Sequence, residues 1–511
     1  MSQGVTPLVS AARMNEIDQQ AQTDFHIPAI VLMENAGARA WALLRDRYLD
    51  PASGGRLLFA VGKGNNGGDA LVMARHAALE GVHQPTLLLT TDDLREPGAG
   101  HLRACAALGI EVIDWRSMRE GAIKAIDAAD WIIDGIAGTG IKGALRGDAA
   151  ELVQQINSSA RPVAAIDCPS GIGDEYQPDF PALRARVTIT IGLPKRCLYF
   201  PQARILAAAI EVLPIGFPPP LLEDSAARWR LLDERALAAL LPRVQLAAYK
   251  NQRGVVAVFA GAHGTSGAAV LCSSAAARCG AGMVRLYVDR SIYPLVASQL
   301  VSVMTVGCDE REAVIPQGAS ALAIGPGWGR AEGRREQLLA LLRSGLPGVI
   351  DADGIALLAG LQADGSLSGA HGLGGRWVLT PHPGEFAALC GIERTELPQN
   401  PAALLQQWAE KLNAVIILKG HVNYIARPDG GISVVDGMNP ALATGGSGDV
   451  LAGMVAAMLG RGMQSAAAAE AAVLLHQSAG ARLRRERGFF LAEELPQVVS
   501  ALLAECSEDN E

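Results

Sequence analysis

The chain has 511 residues, of which 50% are hydrophobic and 19% charged, with 57 glycines and a formal net charge of −8. Such a length predicts two or three domains with sizeable cores. No basic block supports nucleic-acid binding, and no apolar run has the length of a membrane span. The opening MSQGVTPLVSAARMNEIDQQ lacks a basic region leading into an apolar core, so no signal peptide is expected and the expected compartment is the cytoplasm. The eight cysteines (Cys105, Cys168, Cys197, Cys272, Cys279, Cys308, Cys390 and Cys506) include no C-x-x-C pair and read as reduced, mostly core thiols.

In chain order, residues 10–48 predict two helices broken near Ile27-Pro28. From Arg56, short apolar runs alternate with amphipathic segments: RLLFAV, PTLLLT, EVIDW, WIIDGI, PVAAID, VTITIG and EVLPIG. This alternation predicts βαβ units and a mostly parallel sheet. The stretch PIGFPPPLLEDSAARW, residues 214–229, breaks it, because consecutive prolines continue neither a helix nor a central strand. We therefore expect one domain over 1–220 and another over 225–511. A second α/β series follows: GVVAVFAG, MVRLYVD, SALAIGPG, GVIDADG, RWVLTPH, AVIILKG and NYIARPDG. Two Ala-rich helices, DVLAGMVAAMLGRG and SAAAAEAAVLLHQSAGARLRRE, close it, and ECSEDNE reads as a solvated acidic tail.

GKGNNGGD, Gly62–Asp69, contains the G-x-G-x-x-G spacing of a dinucleotide loop, with a helix expected from about Gly68. A nicotinamide dehydrogenase would also want an acid after the next strand, where Asp92 and Asp93 stand. Against that reading, Asn65, Asn66 and Asp69 crowd the loop with polar groups, and the carboxylate would meet a pyrophosphate. Two further strands end in polar loops, DGIAGTGIKG from Asp134 and IDCPSG from Ile166. Strands of a parallel sheet present ligands at their carboxyl edges, so Asn66, Asp134, Asp167 and Ser170 are expected on one rim, a set of hard oxygen groups suited to a cation. Simple turn-forming roles for Asp134 and Asp167 are the competing explanation.

In the second half, ATGGSGDVLAG, Ala443–Gly453, bares backbone N–H groups just before a helix, an anion hole with Asp449 beside it. Phosphoryl transfer needs such positioning, with a carboxylate to take the proton of an attacking hydroxyl. AIGPGWG, IDADG, TPHPGE and LKGHVN each follow a predicted strand and bring Lys419, His382, Asp351 and Asp353 to the same region. Lys419 can reach a nucleotide phosphate, while Asp351 and Asp353 either face magnesium through water or cap helices.

MENAG, GKGNNGGD, DGIAGTGIKG and IDCPSG resemble the N-terminal, epimerase half of the bifunctional NAD(P)H-hydrate repair enzymes over residues 10–216, and the second motif set resembles their ADP-dependent dehydratase half over 230–505. The resemblance implies a three-layer αβα Rossmann-like domain followed by a ribokinase-like α/β domain. It implies a potassium site at Asn66, Asp134 and Ser170. The hydrated nucleotide would be held by Asn65, Asn66, Gly67, Gly68 and Asp69, by Gly138, Thr139, Gly140, Ile141, Lys142, Gly143 and Ala144, and by Asp167. In the second half it implies hydrated nucleotide at Ala268, Gly327, His382 and Asp449, and ADP at Lys419, Gly420, His421, Val422, Asn423 and Gly448, with magnesium as the cofactor of that reaction. Ala70, Cys168, Tyr249-Lys250-Asn251 and Asn423 depart from the family pattern.

The activity so implied is interconversion of the R and S forms of hydrated NAD(P)H at C6, and ADP-dependent dehydration of the S form to NAD(P)H with release of AMP and phosphate. Asp167 is the expected general acid/base of the first reaction and Asp449 the base of the second. The expected partners are the hydrated nucleotide and ADP, with self-association into a homo-oligomer and no nucleic acid or membrane. The alternative is a small-molecule alcohol kinase carrying a non-catalytic N-terminal scaffold.

Overall fold

Side chains of the strand Arg56–Val61 alternate between two cores. Leu57, Phe59 and Val61 join Trp41, Ala70 and Met73, whereas Leu58 and Ala60 join Ile126, Leu152 and Ile156. A strand buried on both faces is what a parallel sheet between two helix layers requires. The computed structural model describes residues 3–50, 54–223, 228–242, 247–310, 312, 314–367 and 372–508. It divides the chain into two compact units, Thr6–Ala227 and Met1–Val5 with Arg228–Glu511.

The strands, in chain order, are β1 Val5–Pro7, β2 Arg56–Val61, β3 Gln84–Leu89, β4 Glu111–Asp114, β5 Trp131–Gly135, β6 Val163–Ile166, β7 Val187–Ile191 and β8 Ala209–Leu213. Then come β9 Trp229–Leu232, β10 Val255–Phe259, β11 Met283–Asp289, β12 Met304–Cys308, β13 Ala321–Ile324, β14 Gly348–Ile350, β15 Trp377–Leu379, β16 Val415–Leu418, β17 Val422–Ala426 and β18 Ile432–Asp436. One sheet has the order β4-β3-β2-β5-β6-β7-β8 and is parallel throughout. The other runs β1-β9-β18-β17-β16-β15-β14-β13-β10-β11-β12, with antiparallel pairing at β16–β17 and β17–β18.

Counted from β2 and from β10, both sheets follow the same doubly wound plan. The chain moves outward on one side, returns to the centre, and continues on the other. Each therefore has a switch point, between β2 and β5 and between β10 and β13, where the loops leaving adjacent strands diverge and open a crevice. The backbone bridges both crevices closely. Gly62 N donates to Gly135 O at 3.0 Å, and Gly325 N donates to Phe259 O at 3.0 Å. At Gly325 the φ of +117° lies where L side chains are strained, and a Cβ would stand 1.9 Å from the Asp351 carbonyl oxygen. Gly325→Ala is expected to destabilise the second unit by roughly 2–4 kcal/mol, from strain and overpacking together. Denaturant unfolding checks this, and a variant as stable as the parent would contradict it.

The structure differs from the sequence expectations at several points. Residues 3–5 group with the second unit, although they precede the first. The helix after the Gly-rich loop starts at Asn65, one turn earlier than expected, because Gly67 and Gly68 N–H groups already bond to Gly64 O. The helix Leu495–Glu508 runs into the segment expected as a solvated tail, and residues 509–511 of that tail lie outside the described residues. Residues 224–227 of the expected boundary lie outside them as well. No described helix is long and apolar enough to cross a membrane.

Candidate functional site

A cleft of about 410 Å³ opens at the β2/β5 switch point. Asn65, Asn66, Asp69, Gly138, Thr139, Gly140, Ile141 and Asp167 line it, together with Asp18, Met33, Lys63 and Lys195. Gly67 and Gly68 lie off the lining and serve packing. A Cβ on Gly67 would stand 2.0 Å from Gly62 O, and one on Gly68 2.5 Å from the Met33 sulfur. Lys142, Gly143 and Ala144 also lie off the lining. Asp92 and Asp93, the acids a dehydrogenase would use, are exposed outside the cleft, Asp92 pairing with Arg116 at 3.2 Å.

Beneath the cleft, Asp134 is wholly buried. Its Oδ1 accepts from Ile136 N (3.1 Å) and Ser170 Oγ (2.6 Å), and its Oδ2 accepts from Ser170 N (2.8 Å). Burial pushes its pKa up to about 6, against the lowering effect of the Ser170 hydrogen bonds. Asn66 donates Nδ2 to Ile166 O at 3.0 Å. A Cβ on Gly138 would stand 3.1 Å from Asn66 Oδ1, so the loop passes tightly over that side chain. Ser170 and Asp134 therefore meet, and Asn66 stands against Gly138, next to the Ala137 that Ser170 contacts, with no cationic side chain among the hydrogen-bond partners of Asp134.

Asp167 caps β6 with a left-handed φ of +65° and is only 8% exposed. Its Oδ1 receives Lys195 Nζ and Ile191 N (3.1 Å). Asp69 and Asp18 face it from two helices. Burial first, then the Asp167 charge, holds Asp69 well above the usual carboxylate range, and Asp18 is raised by burial despite its bond from Gln22. The sequence reading missed Lys195 and Asp18. The available signal for Lys195 was a lysine within reach of the carboxyl end of a strand, in the otherwise apolar run VTITIGLPK.

At the second switch point, Thr265 Oγ1 donates to Gly327 O at 2.7 Å and a Cβ on Gly327 would touch Thr265 and Ala268, so Ala268 and Gly327 adjoin. Asp449 stands in the first turn of the helix Ser447–Gly460. Burial, then repulsion from Asp351, raises its pKa to about 6, with Lys419 pulling it down and Glu385 adding a little. Lys419 Nζ pairs with Asp351 Oδ1 at 2.7 Å, and a Cβ on Gly448 would lie 3.1 Å from that ammonium. Lys419, Gly448, Asp351 and Asp449 thus converge. Lys419 stays above its ordinary pKa because these acids, with Glu385, outweigh its burial.

His382 is the N-cap of the helix Pro383–Cys390. Its Nδ1 accepts from Gly384 N (3.0 Å) and Glu385 N (3.2 Å), leaving Nε2 3.4 Å from Glu385 Oε1. Asp353 accepts from Gly329 N (3.0 Å) and pairs with Arg330 (2.7 Å), so it supports the Gly327 loop. Among the β16–β17 residues, Gly420 N donates to Asn423 Oδ1 at 3.4 Å, Gly437 N donates to His421 O at 2.9 Å, and Val422 is buried. Asn423 is 3% exposed and its Nδ2 has no hydrogen-bond partner, a donor facing Gly437 and Gln477. Sequence reading also missed His476, whose Nε2 is 3.0 Å from Ser447 O at the start of the anion loop. Burial depresses its pKa to about 4, so it is neutral there.

Two doubly wound α/β units, each gathering acids and an ion-paired lysine at its switch point, define an enzyme with two separate active sites. Comparison with known proteins agrees. Residues 29–197 match the family described as YjeF-related protein N-terminus, and residues 256–501 match that described as NAD(P)H-hydrate dehydratase. The bifunctional NAD(P)H-hydrate repair enzyme of Moorella thermoacetica is 35% identical over 498 residues, 94% of this chain and 93% of that protein. The one from Thermofilum pendens is 33% identical over 97% of each. The ADP/ATP-dependent NAD(P)H-hydrate dehydratase of Bacillus subtilis, solved with ATP and Mg2+, is 29% identical with a TM-score of 0.48, covering 53% of this chain and 97% of that one. The chain belongs to the family of bifunctional NAD(P)H-hydrate repair enzymes.

Proposed function

We propose that the first cleft interconverts the C6 epimers of hydrated NADH and NADPH, and that the second site dehydrates the S epimer at the expense of ADP. The observation that carries this is the pair of acids at the two switch points, buried Asp167 beside Lys195 and half-buried Asp449 facing Lys419. One chain with two such sites can accept both epimers, where a single chiral pocket would leave one behind.

In the first cleft, Asp167 takes the proton of the C6 hydroxyl as the C6–N1 bond opens to the aldehyde, and returns it to N1. Rotation about C5–C6 and the reverse steps give the other epimer. Asn65, Asn66 and the Gly138–Ile141 loop hold the nucleotide above it. The buried, oxygen-only set of Asn66, Asp134 and Ser170 fits potassium, which when bound supplies positive charge that fastens the two loops together. Thermal unfolding of the first unit should therefore rise in potassium relative to lithium, and Ser170→Ala should lose most of that increment. Equal melting in both salts would refute the cation site.

In the second site, Asp449 removes the C6 hydroxyl proton while the β-phosphoryl group of ADP moves to that oxygen and AMP leaves. The N1 lone pair then expels phosphate, and loss of a C5 proton restores the dihydropyridine. Bare amides at the start of the Ser447 helix and Lys419 face the migrating negative charge. Magnesium, when bound with the nucleotide, supplies further charge neutralisation. Ala268, Gly327 and His382 are assigned to the hydrated nucleotide, and Lys419–Asn423 with Gly448 to ADP. The proposed compartment is the cytoplasm.

The test is recovery of reduced coenzyme from a mixture of both hydrate epimers, with ADP or ATP and with potassium present or withheld. Full recovery with ADP is expected. A stable phosphorylated product without reduced coenzyme would instead indicate an alcohol kinase.

A further inference from the structure

Lys195 has no exposed surface, and all three of its ammonium hydrogens have acceptors: Asp167 Oδ1, Thr190 Oγ1 at 3.1 Å and Ile191 O at 2.6 Å. An ammonium so enclosed has no donor left for a ligand. Asp167 is held just as firmly. Its own N–H bonds to Ile189 O at 2.8 Å, and its Oδ1 receives both Lys195 and Ile191 N. Among the described residues none donates a hydrogen bond to its Oδ2, and the residue lines the cleft.

A free carboxylate presents either oxygen in many orientations, whereas this one is pinned through a single oxygen. Asp69 and Asp18 also crowd Asp167, and ionisation of either would oppose its charge. Without the ammonium, that crowding would turn or displace the carboxylate. A positioned acid/base must lie within hydrogen-bond reach of its proton, and small displacements cost rate steeply.

We propose that Lys195 is the positioning residue of the epimerase site: by clamping Asp167 Oδ1 against the end of β7, it presents Oδ2 alone to the C6 hydroxyl. This rests on the reading of Asp167 as acid/base. Lys195 acts through Asp167 and does not touch substrate. Its effect therefore belongs to the chemical step and vanishes when Asp167 cannot serve.

A double-mutant cycle tests this on the full chain, following exchange between purified R and S hydrate epimers in the absence of ADP. ADP-dependent dehydration of the S epimer measures the amount of intact second unit, and a limited-proteolysis pattern identical to wild type establishes a folded first unit. Lys195→Met is expected to lower kcat roughly 100-fold, the scale of a misplaced acid/base, with KM changing by less than about threefold. In an Asp167→Asn background, Lys195→Met is expected to cause no further loss. Thr190→Val, which removes one contact to the ammonium and leaves the ion pair, is expected to give an intermediate loss in kcat and covers the case in which Lys195→Met fails to fold.

A full additional loss from Lys195→Met in the Asp167→Asn background would overturn the proposal, as would an effect confined to KM or wild-type kcat in both Lys195→Met and Thr190→Val. Wild-type protein that dehydrates the S epimer but does not exchange the two would overturn the underlying reading of the cleft, and this inference with it.

Discussion

Asp449→Asn should abolish recovery of NADH from the S hydrate, lowering dehydratase kcat/KM by roughly 10²–10⁴-fold, while epimer exchange continues at the wild-type rate. Asparagine nearly preserves the shape but cannot accept the hydroxyl proton. Because the helix Ser447–Gly460 is buried from Val450 onward, the substitution at its half-exposed first turn leaves the packing of the second unit in place. The pH dependence gives the same residue a second signature. A base works only when unprotonated, and burial with Asp351 repulsion places Asp449 at about 6. Wild-type kcat/KM should then be flat above pH 6 and fall below it, about tenfold for each unit. Asp351→Asn should lower this limb, since the neighbouring negative charge adds to burial in raising it. Steady-state rates across pH would check both statements. A variant with more than a tenth of wild-type activity would remove Asp449 from the chemical step.

Asp167→Asn should stop epimer exchange, again by roughly 10²–10⁴-fold, and leave dehydration of the S form unchanged. From a mixture of epimers the variant would then return only the S share as reduced coenzyme, with the remainder appearing no faster than spontaneous exchange allows. The substitution also leaves Lys195 as a buried ammonium without its counter-charge. Removing one partner of a buried ion pair typically costs about 3–5 kcal/mol, so the first unit should melt earlier. Adding Lys195→Met should restore much of that stability without restoring exchange, because the uncompensated charge goes while the missing base does not return. Calorimetry and an epimer-resolved chromatographic assay separate the two effects. Activity retained in Asp167→Asn would exclude the acid/base role, whatever happens to stability.

Much of this molecule is legible in its sequence, and the reason is physical. Continuous apolar runs such as RLLFAV and GVVAVF can be satisfied only by burial on both faces, which dictates parallel sheets between helices. Glycine-rich loops ending such strands, with acids beside them, lie at the carboxyl edges of those sheets, so GKGNNGGD, IDCPSG and ATGGSGDVLAG mark the two sites before any coordinates exist. Short edge strands are harder. Val5–Pro7 and Met304–Cys308, at the two edges of the second sheet, have too few residues for a period to register, and their pairing depends on a neighbour that sequence does not display.

The chemistry needed the tertiary structure for another reason: electrostatic partners are set by distance in space. Lys195 and Asp167 are separated by 28 positions and Lys419 and Asp351 by 68, yet each pair is in contact. For His382, expected to contact the substrate, only the folded backbone showed that its Nδ1 is engaged in a helix cap. His476 looked like one more helix residue until its ring met the Ser447 carbonyl. Sequence by itself determined the layers, the loops and the acids, since these follow from local periodicity and backbone freedom. Only the folded chain decided which lysine stands beside which acid, because burial and proximity, not order along the chain, set the charge on each group.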